Sequence, residues 1–241
     1  WTVAQNIASP LIAKQLDAFE RKRIVARLAQ TLGISELLQR LPSELSGGQQ
    51  QRVAIARALA QQADVLVLDE PLVNLDYKLR EALVLELKTL LAETGATVIY
   101  TSTDPRDAFA LGDQVLLLHE QSVLQSGTPL GLYQSPKCLA AARLMSDPGV
   151  NLLPGPNFNG GEQCSAIRPE HVLLPGEAVQ DCADTISFHM RVDSIERSGD
   201  ETFLHGRVSK DGELQEEQHW VVRRPGMHSV SVGQMLELNV C

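Results

Sequence analysis

The short segment at residues 63–69, with its aliphatic centre, constrains the fold more than any other part of the chain. Residues 65–68 are all aliphatic, and two carboxylates, Asp69 and Glu70, follow them directly before Pro71. A short run that is apolar at every position is typical of a strand buried in a parallel sheet. Because parallel strands need crossover connections, the segments on either side of this strand should be helices.

The pattern of apolar residues elsewhere in the first part of the chain agrees with this alternation. Helical spacing or helix-start signals predict helices at residues 14–32, 35–40, from 46 onward, 76–93 and 107–111. Short apolar runs predict two more strands, at 97–101 and 115–118. We therefore predict an α/β domain built on a parallel sheet that is covered on both faces.

The character of the sequence changes near residue 147, where Pro and Gly become frequent. Short alternating segments follow at 187–195, 202–208, 219–223 and 235–240, separated by Gly or Asp turns. This spacing predicts a small antiparallel β-barrel. We therefore predict two domains, at residues 1–147 and 148–241.

Composition excludes some classes of function. The net charge is −9, which does not favour a nucleic-acid-binding face. No apolar run approaches the roughly 20 residues that a membrane-spanning helix needs. The four cysteines show no CxxC spacing, so we expect reduced thiols rather than disulfides or a metal site.

The turn before the helix at residue 46 is the first candidate for chemistry. Ser46, Gly47, Gly48 and Gln49 are small or polar, and a helix follows directly. The free N–H groups and the dipole at a helix start favour an anion, and glycines let a phosphate approach the backbone. Taken alone, this segment would more readily be interpreted as an ordinary serine-capped helix.

The two acids at the end of the apolar strand are the second candidate. Ligand chemistry in α/β sheets is placed at the carboxyl ends of the strands, where Asp69 and Glu70 lie. One carboxylate can hold Mg²⁺ on nucleotide phosphates, and the other can orient or deprotonate an attacking water. Together with the glycine turn, this arrangement is far more specific than a strand that simply ends in solvated acids.

Both segments carry a family resemblance. LSGGQQQRVAIARAL followed by VLVLDEP closely resembles the signature helix and Walker B strand of ATP-binding-cassette (ABC) ATPases. The likeness continues into Asn74-Leu75-Asp76, which is similar to the D-loop that crosses to a partner subunit, and it covers residues 1 to about 147. It implies an incomplete, P-loop NTPase-like ABC ATPase domain that uses ATP and Mg²⁺.

The resemblance also implies roles for individual residues. Asp69 would bind Mg²⁺ through water, and Glu70 would be the catalytic base. Ser46, Gly48 and Gln49 would contact the γ-phosphate of a nucleotide held by the other subunit of a dimer. Gly47 and the D-loop residue Asp76 complete the implied nucleotide-binding set.

Two departures from the family pattern stand out. No G-x-x-x-x-G-K-[ST] phosphate cradle occurs in the 241 residues. Residues 1–7 resemble the segment just after the family's Q-loop, so we expect the chain to be a fragment that binds ATP weakly alone.

Thr103 stands where the family usually has a histidine, and its hydroxyl can bond a phosphate but carries no imidazolium charge. Either hydrolysis proceeds without that charge, or a different dimer partner does more of it, which favours a heterodimer.

The second part of the chain indicates which class of ABC ATPase the sequence resembles. Residues 127–133, 151–155 and 166–171 resemble the linker and the oligonucleotide-fold (OB-like, TOBE) barrel of carbohydrate-importer ATPases of the maltose-importer class. Within them, Arg168 and Glu170 either pair at a strand corner or are surface charges on a turn. Residues 70–80 are similar to the paired ATPases of glycerol importers, which makes glycerol one candidate solute.

This resemblance implies a peripheral protein on the cytoplasmic face of the cell (inner) membrane that powers uptake of a carbohydrate or polyol. Its partners would be a second ABC ATPase subunit, transmembrane permease subunits and, indirectly, a solute-binding protein, but no nucleic acid. Two alternatives remain: a soluble ABC ATPase outside transport, and a non-catalytic regulatory subunit. The sequence upstream of Trp1 would distinguish a catalytic ATPase from a non-catalytic regulatory subunit, because a Walker A lysine there favours catalysis.

Overall fold

The computed structural model describes residues 1–73, 77–154, 164–177, 185–209 and 218–240. The chain forms two compact units, Trp1–Asp113 and Gln114–Cys241. The predicted boundary between residues 147 and 148 therefore lies inside the second unit. The division into an ATPase domain and a β-barrel domain at that point stays a prediction. No helix within the described ranges is both long and apolar enough to cross a membrane.

The first unit holds five α-helices and two strands among its described residues. In chain order these are α1 Val3–Ala13, α2 Ala18–Thr31, α3 Gly47–Ala60, β1 Val65–Asp69, α4 Tyr77–Thr94, β2 Thr97–Thr101 and α5 Pro105–Leu111, with 3-10 helices at Ser35–Leu37 and Pro42–Glu44. The alternation of helices and strands is confirmed.

The start of the chain differs from the prediction of one helix at 14–32. A first helix ends at Ala13, and α2 begins only after Asp17, whose carboxylate accepts the N–H of Glu20. The signal for α1 is present in the sequence as a capping box between Thr2 and Gln5, whose side chains each accept the other's backbone N–H.

The two strands of the first unit pair in parallel, as predicted, with Asp69 opposite Thr101. Leu66 and Leu68 are buried with the apolar side chains of α3 and α4. The side chains of Val65 and Val67, by contrast, are 54% and 63% exposed. Successive residues of a strand point to opposite faces, so among the described residues one face of this pair is packed and the other is open; cover on both faces stays a prediction.

The second unit begins with a hairpin. Its strands are β3 Val115–His119 and β4 Ser122–Gly127, and helices α6 Pro129–Gln134 and α7 Leu139–Leu144 follow. The strand predicted at 115–118 exists, and it pairs antiparallel with β4. Leu117, Leu132, Ala141 and Met145 form a small core beneath the hairpin.

The rest of the second unit is antiparallel β-structure. Its strands are β5 Asn151–Pro154, β6 Cys164–Ile167, β7 Ile186–Arg197, β8 Glu201–Ser209, β9 His219–Pro225 and β10 Met235–Val240. The last four form one sheet in the order β10-β7-β8-β9, a half-barrel consistent with the predicted OB-like fold. Phe188 and Trp220 meet in its core with ring centroids 5.0 Å apart.

Gly206 on β8 is required by the close approach of β7. A Cβ atom at this position would lie 2.2 Å from the carbonyl oxygen of Arg191. The pairing of the two strands shifts register between Val192 and Ser194, so the backbones crowd together at this bulge.

Candidate functional site

The predicted glycine turn opens α3 and faces solvent. Ser46 is the N-cap, and its hydroxyl accepts the N–H of Gln49 at 3.4 Å while the Gln49 side chain accepts the N–H of Ser46 at 3.0 Å. Ser46 and Gly47 are exposed, and Gly48 and Gln49 are half-buried. Because this helix start is accessible, its remaining N–H groups and dipole can meet a ligand from outside the subunit.

A residue that the sequence analysis did not single out holds the loop before this turn. The Gln50 side-chain amide donates to the carbonyl oxygens of Pro42 and Leu45, at 3.0 and 3.2 Å. The side chain of Leu45 is buried, so both this packing and the Gln50 amide hold the loop in place. The exposed turn therefore starts from a fixed position.

The two predicted acids stand at the carboxyl end of β1, and Thr101 on the neighbouring strand joins them. The Thr101 hydroxyl donates to Asp69 Oδ1 at 2.6 Å and accepts the N–H of Glu70 at 3.0 Å. Both acids are exposed. Thr101 was not among the predicted site residues, although its place at the end of the next predicted strand is a signal that could have identified it.

The backbone of Glu70 adopts a left-handed conformation with φ of +42°. This conformation is strained for a residue with a Cβ atom and is concentrated at functional sites. Its carbonyl oxygen accepts the N–H of Val73 at 3.3 Å and the side-chain amide of Gln51 at 3.0 Å. The strand thus turns sharply at Glu70, and two hydrogen bonds to its carbonyl oxygen hold the turn.

An open depression beside Glu70 also includes Thr103. Its volume is about 220 Å³, which includes space open to solvent, and Thr101 and Asp107 contribute to its wall. The structure therefore brings Glu70 and Thr103 together around one space, although they lie on the loops after different strands. Asp76 lies outside the described residues.

A buried carboxylate supports the loop that carries Thr103. Asp107 is only 4% exposed, and it accepts hydrogen bonds from Arg80 at 2.8 Å, Tyr100 at 3.1 Å and Ser102 at 2.6 Å. Arg80 also lies 3.1 Å from Asp104. Burial and the neighbouring Asp107 carboxylate raise the pKa of Tyr100 well above its usual value. From the sequence, Asp107 was predicted only to lie in a helix.

These residues fit part of a Mg²⁺–nucleotide site. Within the described ranges, no group of three or more His, Cys, Asp or Glu side chains could hold a metal by itself. Mg²⁺ typically takes one or two protein carboxylates and completes its shell with phosphate and water oxygens. The exposed Asp69 carboxylate, oriented by Thr101, suits that arrangement.

A separate cluster in the second unit joins α6 to the segment that follows β6. The Arg168 guanidinium lies 3.6 Å over the Tyr133 ring, donates to the Tyr133 carbonyl and reaches the Ser146 hydroxyl at 3.2 Å. The Tyr133 hydroxyl donates to Glu170, and burial together with this bond raises the pKa of Tyr133 to about 12. Of the alternatives for Arg168, a surface charge is thus wrong: its side chain is buried, and Tyr133 joins it to Glu170.

Comparison with known families and proteins agrees with this geometry. The family model described as ABC transporter matches residues 1–73, and the model described as TOBE domain matches residues 165–240. The first match includes the glycine turn and both acids, and the second covers the antiparallel sheet.

The chain is also similar to proteins named sn-glycerol-3-phosphate import ATP-binding protein UgpC. It is 34% identical to that of Brucella abortus strain 2308 over 219 residues, which are 86% of this chain and 62% of the relative. It is 34% identical to that of Chromobacterium violaceum, over 99% of this chain and 67% of the relative. It is 35% identical to that of Chromohalobacter salexigens, over 98% of this chain and 67% of the relative.

The chain therefore spans about two thirds of the length of these relatives or slightly less. By these identities and the two family models, it belongs to the ATP-binding proteins of ABC transporters, with an ABC transporter domain followed by a TOBE domain.

Proposed function

We propose that this chain is part of the ATP-hydrolysing subunit of an ABC importer that powers uptake of a carbohydrate or polyol. The observation that carries the proposal is the strained backbone of Glu70 at the end of β1, beside Asp69 and facing a depression shared with Thr103. Strain at a carboxylate of this kind is expected where the side chain must be aimed at a reacting atom.

Each site residue then has a role. Asp69 would hold Mg²⁺ through water, and Glu70 would orient or deprotonate the water that attacks the γ-phosphate. Thr103 would donate its hydroxyl to a phosphate oxygen. ATP supplies the phosphoryl group whose transfer to water drives the cycle.

The exposed turn at Ser46, Gly47, Gly48 and Gln49 would act in a second subunit's site. Its accessibility supports this proposal, because a nucleotide held by another subunit can reach the turn only from outside this one. Two ATPase subunits would enclose nucleotides between them, with Asp76 in the crossing D-loop. Closure and reopening of this dimer would move transmembrane permease subunits at the cytoplasmic face of the membrane.

The solute is proposed from the relatives and not from the site, since an ATPase subunit does not touch the solute. The relatives are named for import of sn-glycerol-3-phosphate, which makes that phosphorylated polyol the first solute to test and glycerol the second. A solute-binding protein would deliver it on the other side of the membrane.

A second candidate is a non-catalytic regulatory subunit, which Thr103 favours because it cannot supply an imidazolium charge. In that case a different partner would hydrolyse most of the ATP. A heterodimer with one catalytic and one weakly catalytic subunit is compatible with the same geometry.

The proposal is tested with the full-length subunit assembled with its permease and solute-binding partners in lipid vesicles. We expect ATP hydrolysis that rises when sn-glycerol-3-phosphate or glycerol is supplied with the binding protein. ATP binding without any hydrolysis by this subunit would favour the regulatory alternative. A complex that neither binds nor hydrolyses ATP would overturn the proposal.

A further inference from the structure

One side chain connects the signature helix directly to the backbone of Glu70. Gln51 lies in α3, two residues after Gln49, and its amide nitrogen donates to the Glu70 carbonyl oxygen at 3.0 Å. The acceptor is a carbonyl, so the amide orientation is determined: only the nitrogen can face it. The other amide atom, Gln51 Oε1, is buried and has no hydrogen-bond partner among the described residues.

The bond acts on a peptide that is already unusual. Glu70 has φ of +42°, its N–H is held by the Thr101 hydroxyl, and its carbonyl also closes the turn to Val73. A left-handed conformation of this kind persists only when surrounding contacts favour it. Thr101 holds the peptide before Glu70 from the β2 side, and Gln51 holds the peptide after it from the helix side.

We propose that Gln51 is a positioning residue that aims the Glu70 carboxylate and links it to the turn at Ser46–Gln49. The inference rests on the proposed function, in which that turn contacts a nucleotide held by the other subunit. The turn and Gln51 lie in the first two turns of one helix, so a displacement of the helix start carries the Gln51 amide with it. Occupation of the partner's site would thereby set the geometry of Glu70 in this subunit's own site.

The test compares four variants of the full-length subunit in its assembled complex. Gln51→Leu removes the donor, Gln51→Glu replaces it with an acceptor that repels the carbonyl, and Gln51→Lys retains a donor. Gln61→Leu is the matched control, because Gln61 is an exposed glutamine at the end of the same helix.

We expect Gln51→Leu to lower kcat by about three- to tenfold, the factor that one hydrogen bond supports, with KM for ATP within about twofold. Gln51→Glu should be at least as slow, Gln51→Lys should recover most of the rate, and Gln61→Leu should match the parent. A parental kcat in Gln51→Leu, or equal losses in the leucine and lysine variants, would overturn the inference.

A second measurement does not depend on activity. Hydrogen exchange of the 241-residue chain should show faster exchange of the Glu70 and Val73 amides in Gln51→Leu, with no change in Gln61→Leu. If the parent complex proves inactive but exchange rises as expected, the proposed function fails while the structural link stands. Unchanged exchange at both amides would refute the link itself.

Discussion

Thr101 lies directly opposite Asp69 in the parallel pair of strands, and its hydroxyl donates to Asp69 Oδ1 at 2.6 Å. The same hydroxyl accepts the N–H of Glu70 at 3.0 Å. One oxygen atom therefore orients the proposed metal-binding carboxylate and the backbone of the proposed catalytic base. Because Asp69 and Glu70 are adjacent and exposed, they would otherwise be free to rotate into solvent.

Replacing Thr101 with valine should weaken the proposed Mg²⁺ site. Thr101→Val has nearly the same shape but can neither donate nor accept, so Asp69 loses its orientation. We expect the Mg²⁺ concentration for half-maximal ATP hydrolysis to rise about three- to tenfold, as loss of one such bond predicts. Thr97→Val, an exposed threonine at the start of the same strand, is the control. Identical Mg²⁺ dependence in both variants would contradict the role given to Thr101.

Replacing Glu70 with glutamine should stop the proposed chemistry after nucleotide binding. Glu70→Gln keeps the side-chain shape but cannot accept a proton, so hydrolysis should fall by about 100-fold or more. ATP-loaded closed dimer should accumulate, measured by size-exclusion chromatography of the full-length subunit with ATP. Glu86→Gln on the exposed side of α4 should behave like the parent. Hydrolysis at the parental rate would exclude Glu70 as the base.

Asp107 should be important for the stability of the first unit. Asp107→Asn keeps the size of the side chain but removes the charge that Arg80, Tyr100 and Ser102 face. Loss of charge-assisted bonds predicts a decrease of about 1–3 kcal/mol in the free energy of unfolding, measured by urea denaturation. The pKa of Tyr100 should also fall toward its ordinary value. The exposed Asp113→Asn should change neither quantity, and a neutral outcome at Asp107 would contradict its proposed support of the Thr103 loop.

Tyr133 should give the second unit a pH-dependent stability in the alkaline range. Its pKa is raised from 10.0 to about 12 by burial and by its bond to Glu170. The neutral phenol is thus favoured in the folded state, and its contribution is complete below pH 10 and lost as the pH rises toward about 12. As the pH rises from 10.0 to about 12, the melting temperature should therefore fall less in Tyr133→Phe than in the parent. Equal shifts would show that Tyr133 titrates normally.

Much of the first unit could be predicted because its signals are local. The serine cap and helical spacing of α3, the aliphatic run of β1 and the acids after it depend on residues a few positions apart. The family resemblance carried by those same segments named Ser46, Asp69 and Glu70 as candidates before any fold was known. Their geometry now supports these roles, which stay proposals until tested.

Tertiary structure alone decided which side chains hold these candidates in place. Gln51 bonds Glu70 across 19 positions, Thr101 bonds Asp69 across 32, and Asp107 meets Arg80 across 27. No local pattern encodes such contacts, because strand pairing and helix packing determine them. The same holds for the exposed Val65 and Val67: a run of aliphatic residues specifies a strand, but whether both faces are covered depends on what packs against it.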